Sequence, residues 1–231
     1  MWKPTKSEKE IRFLYDYFLR TYGDSYPNYV LEYIEEYFFD GIGKYQIPDI
    51  LHQIYHFLDI VPTMESYYHA YLNKLMSAYD INRNILEVGC GALPSFTELL
   101  SNKQIKGTIT AYDPNLISTT LNKNITFVKR EFTYYDDVSK YDLLVGIMPC
   151  DATELIIEKA IENNKDFFVA MCGCSHGVNY GFPMYRMNPE EYRYMVIEQT
   201  KRWLKEYGNG SLSVDYLDDE FEIPYPILYK K

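Results

Sequence analysis

Apolar positions change their spacing once along this chain. From residue 7 to about 80 they recur at helical intervals, and from residue 84 they gather into short runs separated by helical stretches. Ser7, followed by Glu10, has the form of a capping box, and Ile11, Leu14, Tyr15, Phe18 and Leu19 then share a face up to Gly23. A second amphipathic segment runs from Pro27 through Val30, Leu31, Ile34 and Phe38 to Gly41. A third follows Pro48 with Leu51, Ile54, Tyr55 and Leu58, and a fourth follows Pro62 through Tyr68, Tyr71, Leu72, Leu75 and Met76. The pattern predicts a helical subdomain over residues 1–80.

Residues 81–231 read differently. The runs "NILEVG" (84–89), "GTITAY" (107–112), "ITFVK" (125–129), "YDLLVGI" (141–147) and "DFFVAM" (166–171) alternate with helical segments, which predicts βαβ units and a parallel sheet. A long helix is expected over about 188–207. "SLSVDYL" and "FEIPYPILY", around the acidic turn Asp218–Glu220, then predict an antiparallel hairpin. Pro224 and Pro226 remove two donors from the last strand, which is expected to be exposed or irregular along that side. The expected fold class is α/β: a Rossmann-like doubly wound sheet, mostly parallel, with an N-terminal helical subdomain.

Composition changes this picture in two respects. With 33 acidic against 23 basic residues the net charge is −10, which disfavours a broad electrostatic grip on nucleic acid. No apolar run approaches the length of a membrane span, and the N-terminal segment lacks the apolar core of a secretory signal, so the expectation is a cytoplasmic protein with reduced thiols. Four cysteines in 231 residues do not make a disulfide scaffold. The 25 tyrosines, among them Tyr26, Tyr29, Tyr33, Tyr67, Tyr68 and Tyr71, are first of all half-buried packing, with stacking on a substrate as the second reading.

The chemistry concentrates after the first predicted strand. "LEVGCGALPSF" (86–96) places Gly89 and Gly91 between that strand and a helix, where ligands of doubly wound sheets sit. A dinucleotide fingerprint would require glycine at position 94, where this chain has Pro94. Asp113, in "AYDPN" at the end of the second strand, is placed to accept hydrogen bonds from two ribose hydroxyls, and the ligand is read as a nucleoside. The alternative is that the glycines form only a tight turn and Asp113 only opens a turn before Pro114. With Glu87, Gly89, Gly91 and Asp113 in this order, the region resembles the class I S-adenosyl-L-methionine-dependent methyltransferases. That resemblance implies a glycine loop holding the methionyl part of the cofactor, Asp113 on the ribose, and Glu131 or Phe132 beside the adenine.

"GIMPCDATELIIEKAIENNKDFFVAMCGCSHG" (146–177) is similar to the subgroup that includes the tRNA ribose 2′-O-methyltransferases. There a His-x-Cys-x-x-Ala-Thr-Asp stretch follows the fourth strand and a Pro-Cys-Cys-His stretch the fifth. Cys150, Ala152 and Thr153 match the first. Met148 stands in place of its histidine and Glu154 in place of its aspartate, and Cys174 and His176 are the counterparts of the second. The similarity implies an acceptor pocket formed by Met148, Pro149, Cys150, Cys174 and His176, with His176 as the group able to take a proton. In structural terms, Asp151 with Glu154 is expected to cap the following helix.

The Cys172, Cys174 and His176 spacing fits zinc or an iron–sulfur cluster poorly, and no metal is expected. The predicted activity is methyl transfer from S-adenosyl-L-methionine to an unspecified acceptor, with a small molecule or protein favoured over RNA by charge. Two other readings stay open. The Gly-x-Gly-x-x-Pro pattern also resembles nicotianamine-synthase-like aminocarboxypropyl transferases, and a methyltransferase-type fold can serve as a non-catalytic binding protein.

Overall fold

The computed structural model describes residues 64–91, 94–116, 123–172, 178–179, 182–183, 189–217 and 225–231. The chain divides into two compact units, Met1–Tyr67 and Tyr68–Lys231. Of the helical subdomain expected over residues 1–80, the three helices before residue 63 lie outside the described residues and the fourth is described.

In the second unit the elements are α1 (Met64–Ala78, which begins in the first unit), β1 (Ile85–Val88), α2 (Ser95–Ser101), β2 (Ile109–Tyr112), β3 (Ile125–Val128) and β4 (Leu143–Ile147). A short 3-10 turn (Cys150–Ala152) leads into α3 (Thr153–Glu162) and β5 (Asp166–Ala170). They are followed by β6 (Val178–Asn179), β7 (Phe182–Pro183), α4 (Pro189–Tyr207), β8 (Leu212–Asp215) and β9 (Ile227–Lys230). Seven strands make one sheet in the order β3-β2-β1-β4-β5-β9-β8, and β6 pairs only with β7. The first five are parallel, with β1 paired to both β2 and β4. The order therefore reverses between β1 and β4, which opens a crevice at the carboxyl ends of these strands.

Strand composition follows position in the sheet. Every residue of β1 and β4 is buried, whereas β3, at the edge, is half-exposed along its length. Leu86, Val88, Leu144, Phe167 and Val169 turn to one face, where they pack with Ile156, Ile157, Ala160 and Ile161 of α3 and Val196 and Leu204 of α4. Each such side chain contributes about 1.5–3 kcal/mol when fully buried. Alternation sends Glu87 to the other face, where Thr97 of α2 donates to it at 2.5 Å. Helices thus cover both faces, and the doubly wound α/β fold is the one observed. On α1, Tyr68, Tyr71, Leu72 and Leu75 are all buried, and the Tyr68 ring lies 6.0 Å from that of Phe96 in α2. For these two tyrosines packing is the observed role.

The C-terminal strands correct one expectation. β8 and β9 do pair antiparallel, but β9 is an interior strand, joined to β5 on its other side, with Ile227 and Leu228 fully buried. Pro226 lies just before the strand, so it removes no ladder donor. Its carbonyl accepts from Met171 at 2.9 Å instead. Tyr79 holds this junction from below, its hydroxyl 2.6 Å from the Lys230 carbonyl and 3.1 Å from that of Phe167.

Candidate functional site

The glycine turn lies between β1 and α2, directly over the sheet's reversal point. Gly89 and Cys90 both donate to the Tyr112 carbonyl, at 2.8 and 3.2 Å, which fastens the turn to β2. Gly89 (φ +75°) and Gly91 (φ +82°) occupy the left-handed region, where a side chain is strained. A Cβ on Gly89 would also come within 3.0 Å of the Pro149 Cα. Pro94 stands at the N-cap of α2, where its carbonyl accepts from Glu98 at 3.0 Å.

Asp113 sits at the carboxyl end of β2 and is only 9% exposed. Its Oδ2 accepts from the Gly91 amide at 2.9 Å and its Oδ1 from the Asn115 amide at 2.8 Å. It opens a turn, as one of the two sequence readings expected, and it also clamps the glycine loop. Burial raises its pKa, and the two amide bonds oppose that rise without cancelling it. Each carboxylate oxygen has a second lone pair, so both can accept one further hydrogen bond. The residues present therefore fit a ribose diol held at this carboxylate, next to a turn with glycine at positions 89 and 91. Glu87 is 1% exposed and bonded to Thr97, which makes it a support beneath the turn. Cys90 is buried against Ala111 and Leu116 as a small apolar residue.

At the end of β3, Glu131 is exposed while Phe132 is buried. The Phe132 ring meets that of Tyr112 edge-on at 5.5 Å and belongs to the core beneath the sheet. Of the two residues implied beside an adenine, only Glu131 is exposed. Arg130 stacks over Tyr112 at 5.0 Å and forks onto Asp136, whose carboxyl is held down to about 2, chiefly by that guanidinium.

The β4 end is built differently. Met148 (φ +53°) and Cys150 (φ +47°) both adopt the left-handed conformation, on either side of Pro149. Two non-glycine residues so placed cost about 1–2 kcal/mol each. Pro149 is buried, and Met148 and Cys150 are half-buried. The expected cap at Asp151 is not formed. The Ala152 amide donates to the Pro149 carbonyl at 3.0 Å, which starts the 3-10 turn and moves the N-cap of α3 to Ala152. Asp151 lies exposed within that turn.

Glu154, in the first turn of α3, is 5% exposed, and burial, reinforced by Glu158, pushes its carboxyl up to about 7. Tyr192, in the first turn of α4, is 3% exposed. Its phenol is pushed up by burial first, then by Glu154, Cys172, Asp151 and Cys150. The structure thus gathers Cys150, Cys172, Glu154 and Tyr192 at the carboxyl ends of β4 and β5. Tyr192 was not legible in the sequence, since only the path of the chain after β5 brings α4 back over α3. Cys174 and His176 lie outside the described residues. Among those described, no group of three or more His, Cys, Asp or Glu is placed to hold a metal ion. No helix among them is long and apolar enough to cross a membrane.

No family model and no curated protein matches the sequence. Solved structures do align with it. Those with similar folds include S-adenosylmethionine methyltransferases. Human N-acetylserotonin methyltransferase, in complex with SAM, aligns at 12% identity over 71% of this chain and 51% of its own, with a TM-score of 0.45. The methyltransferase domain of bacterial CtHen1 aligns at 17% identity over 71% and 97%, TM-score 0.47. Precorrin-6y C5,15-methyltransferase from Geobacter metallireducens aligns at 14% identity over 71% and 88%, TM-score 0.44. The aligned part spans about half of the human enzyme and nearly all of the bacterial domain. The likeness is one of fold.

Proposed function

We propose that this protein is an S-adenosyl-L-methionine-dependent methyltransferase with a small-molecule or protein acceptor. One observation carries the reading: the Asp113 carboxylate clamps a turn with glycine at positions 89 and 91 at the sheet's reversal point and keeps acceptor capacity on both oxygens. The −10 charge weighs against an RNA acceptor.

Bound S-adenosylmethionine would supply a methyl group made electrophilic by the sulfonium. In this reading the Gly89–Gly91 turn receives the amino-acid portion, Asp113 accepts from the ribose, and Glu131 and Phe132 mark the adenine end. Met148, Pro149, Cys150, Cys174 and His176 form the acceptor side, and His176 takes the proton the acceptor gives up. Such transfer depends mainly on alignment, so the chain's contribution is chiefly to position the nucleophile and exclude water.

Calorimetric titration with S-adenosylmethionine is the test. The expected result is saturable binding that Asp113→Ala weakens by about 100-fold, or ~3 kcal/mol. Absence of binding, or full binding by Asp113→Ala, overturns the reading. Product analysis then tests the chemistry: S-adenosylhomocysteine supports methyl transfer, whereas methylthioadenosine would assign the protein to aminocarboxypropyl transfer.

A further inference from the structure

The two loops that flank the reversal point meet at one residue. Pro149 fills the space that side chains on two glycines would occupy. A Cβ on Gly89 would lie 3.0 Å from the Pro149 Cα and 3.1 Å from its Cβ, and one on Gly146 would lie 2.8 Å from its Cγ. Its neighbours are held as well: the Met148 amide donates to the Ala170 carbonyl of β5 at 2.8 Å, and the Pro149 carbonyl accepts from Ala152 at 3.0 Å. Between these fixed points the backbone turns left-handed at Met148 and again at Cys150, without glycine at either position. Such a conformation persists only where surrounding packing enforces it. Here the enforcing contact is with the glycine turn, because Pro149 is backed by Gly146 on one side and Gly89 on the other.

We propose that Pro149 is a positioning residue that ties the β4–α3 loop to the glycine turn, so that nucleoside binding at the turn fixes Met148 and Cys150 in the arrangement that receives the acceptor. The proposal rests on the cofactor reading above and adds to it a coupling: a nucleoside bound at the turn favours the loop arrangement that receives the acceptor, and the reverse. Gly89 and Pro149 lie too close for even a methyl group to fit between them without displacement, so a movement of the turn toward Pro149 presses on the loop. Relaxation of the left-handed residues on either side of Pro149 is what contact with a filled turn would oppose.

S-adenosylhomocysteine serves as the probe, with two readouts that need no acceptor. Amide hydrogen exchange follows residues 146–152, and iodoacetamide labelling with peptide mass mapping follows Cys150, which is half-buried where Cys90 and Cys172 are buried. Each protein is tested at a ligand concentration that saturates it in its own titration. In the wild type, ligand is expected to slow exchange in 146–152 and change the Cys150 labelling rate by about fivefold, or ~1 kcal/mol of loop stabilisation. In Pro149→Ala both responses are expected to fall below twofold. Pro149→Val, which keeps bulk against Gly89, is expected to retain part of them. Circular dichroism and the thermal midpoint establish that each variant is folded, and the wild-type arm is decisive if neither variant is. Binding without any response in the loop overturns the coupling and leaves the cofactor reading intact, as does a full response in folded Pro149→Ala. Absence of binding to the wild type overturns both.

Discussion

Asp113, at the end of β2, and Glu154, after the end of β4, are carboxyls of nearly equal burial, 9% and 5% exposed, and their surroundings meet the cost of that burial differently. At the β2 end, two backbone amides offset the cost of burying Asp113. At the β4 end, the cost of burying Glu154 is increased by Glu158, one helical turn further on. The first arrangement gives a buried carboxyl two backbone amide donors, which favour its charged form against the effect of burial. The second places a carboxyl near neutrality beside a strained loop and a buried phenol, a condition associated with groups that exchange protons. The two ends of the site thus differ in electrostatics as well as in position.

The contrast depends on the two ends remaining distinct yet in register. The largest effect is expected from Gly89→Ala, which places a methyl group against the Pro149 backbone at a left-handed position. It should cost about 2–4 kcal/mol and abolish nucleoside binding, read by denaturant unfolding and calorimetry.

Glu154→Gln tests the β4 end through pH. The folded protein binds the Glu154 proton up to about pH 7, whereas the unfolded chain releases it near 4.5, so wild-type stability falls as pH rises between these values and is level above. The glutamine variant should match the wild type near pH 4.5 and exceed it at pH 8 by as much as about 3 kcal/mol. Equal stability at pH 8 would show that this carboxyl is no burden.

At the β1 end, Thr97→Val withdraws a hydroxyl donor from Glu87. The expected loss is about 1–2 kcal/mol, seen as a fall of roughly 3–6 °C in Tm. The smallest effect is reserved for Asp136→Asn. Arg130 depresses the Asp136 pKa below its unfolded value, so the pair stabilises the fold above about pH 4 and the contribution is lost toward pH 2. The variant should flatten the acid limb of the stability profile by losing a small contribution above about pH 4 while matching the wild type near pH 2, the loss being small because Arg130 is half-exposed.

How much was legible beforehand depended on how local each signal is. The five parallel strands and α4 lie within two residues of where the apolar runs placed them, because period and length suffice for buried strands. The glycine turn and Asp113 were legible because close approach and the strand's carboxyl end leave few residue choices. The cap at Asp151 and the irregular last strand were misread where one backbone bond decides. The Pro149 carbonyl moves the start of α3 to Ala152, and Pro226 falls one residue outside β9. Glu131 or Phe132 was placed beside an adenine by resemblance; the structure leaves Glu131 exposed and packs the Phe132 ring edge-on against Tyr112. Tyr192 left no local signal, since its role exists only once α4 has crossed α3.

The position of β9 also bears on how the chain reaches this state. Although it follows β8 in sequence, it lies between β5 and β8, so β8 has no place on the sheet until β9 has docked. Until then β5, with Phe167 through Ala170 destined for full burial, presents an open apolar edge of the kind that recruits other chains. The hairpin of β8 and β9 therefore acts as a closing piece, and its speed of arrival governs the competition between folding and aggregation.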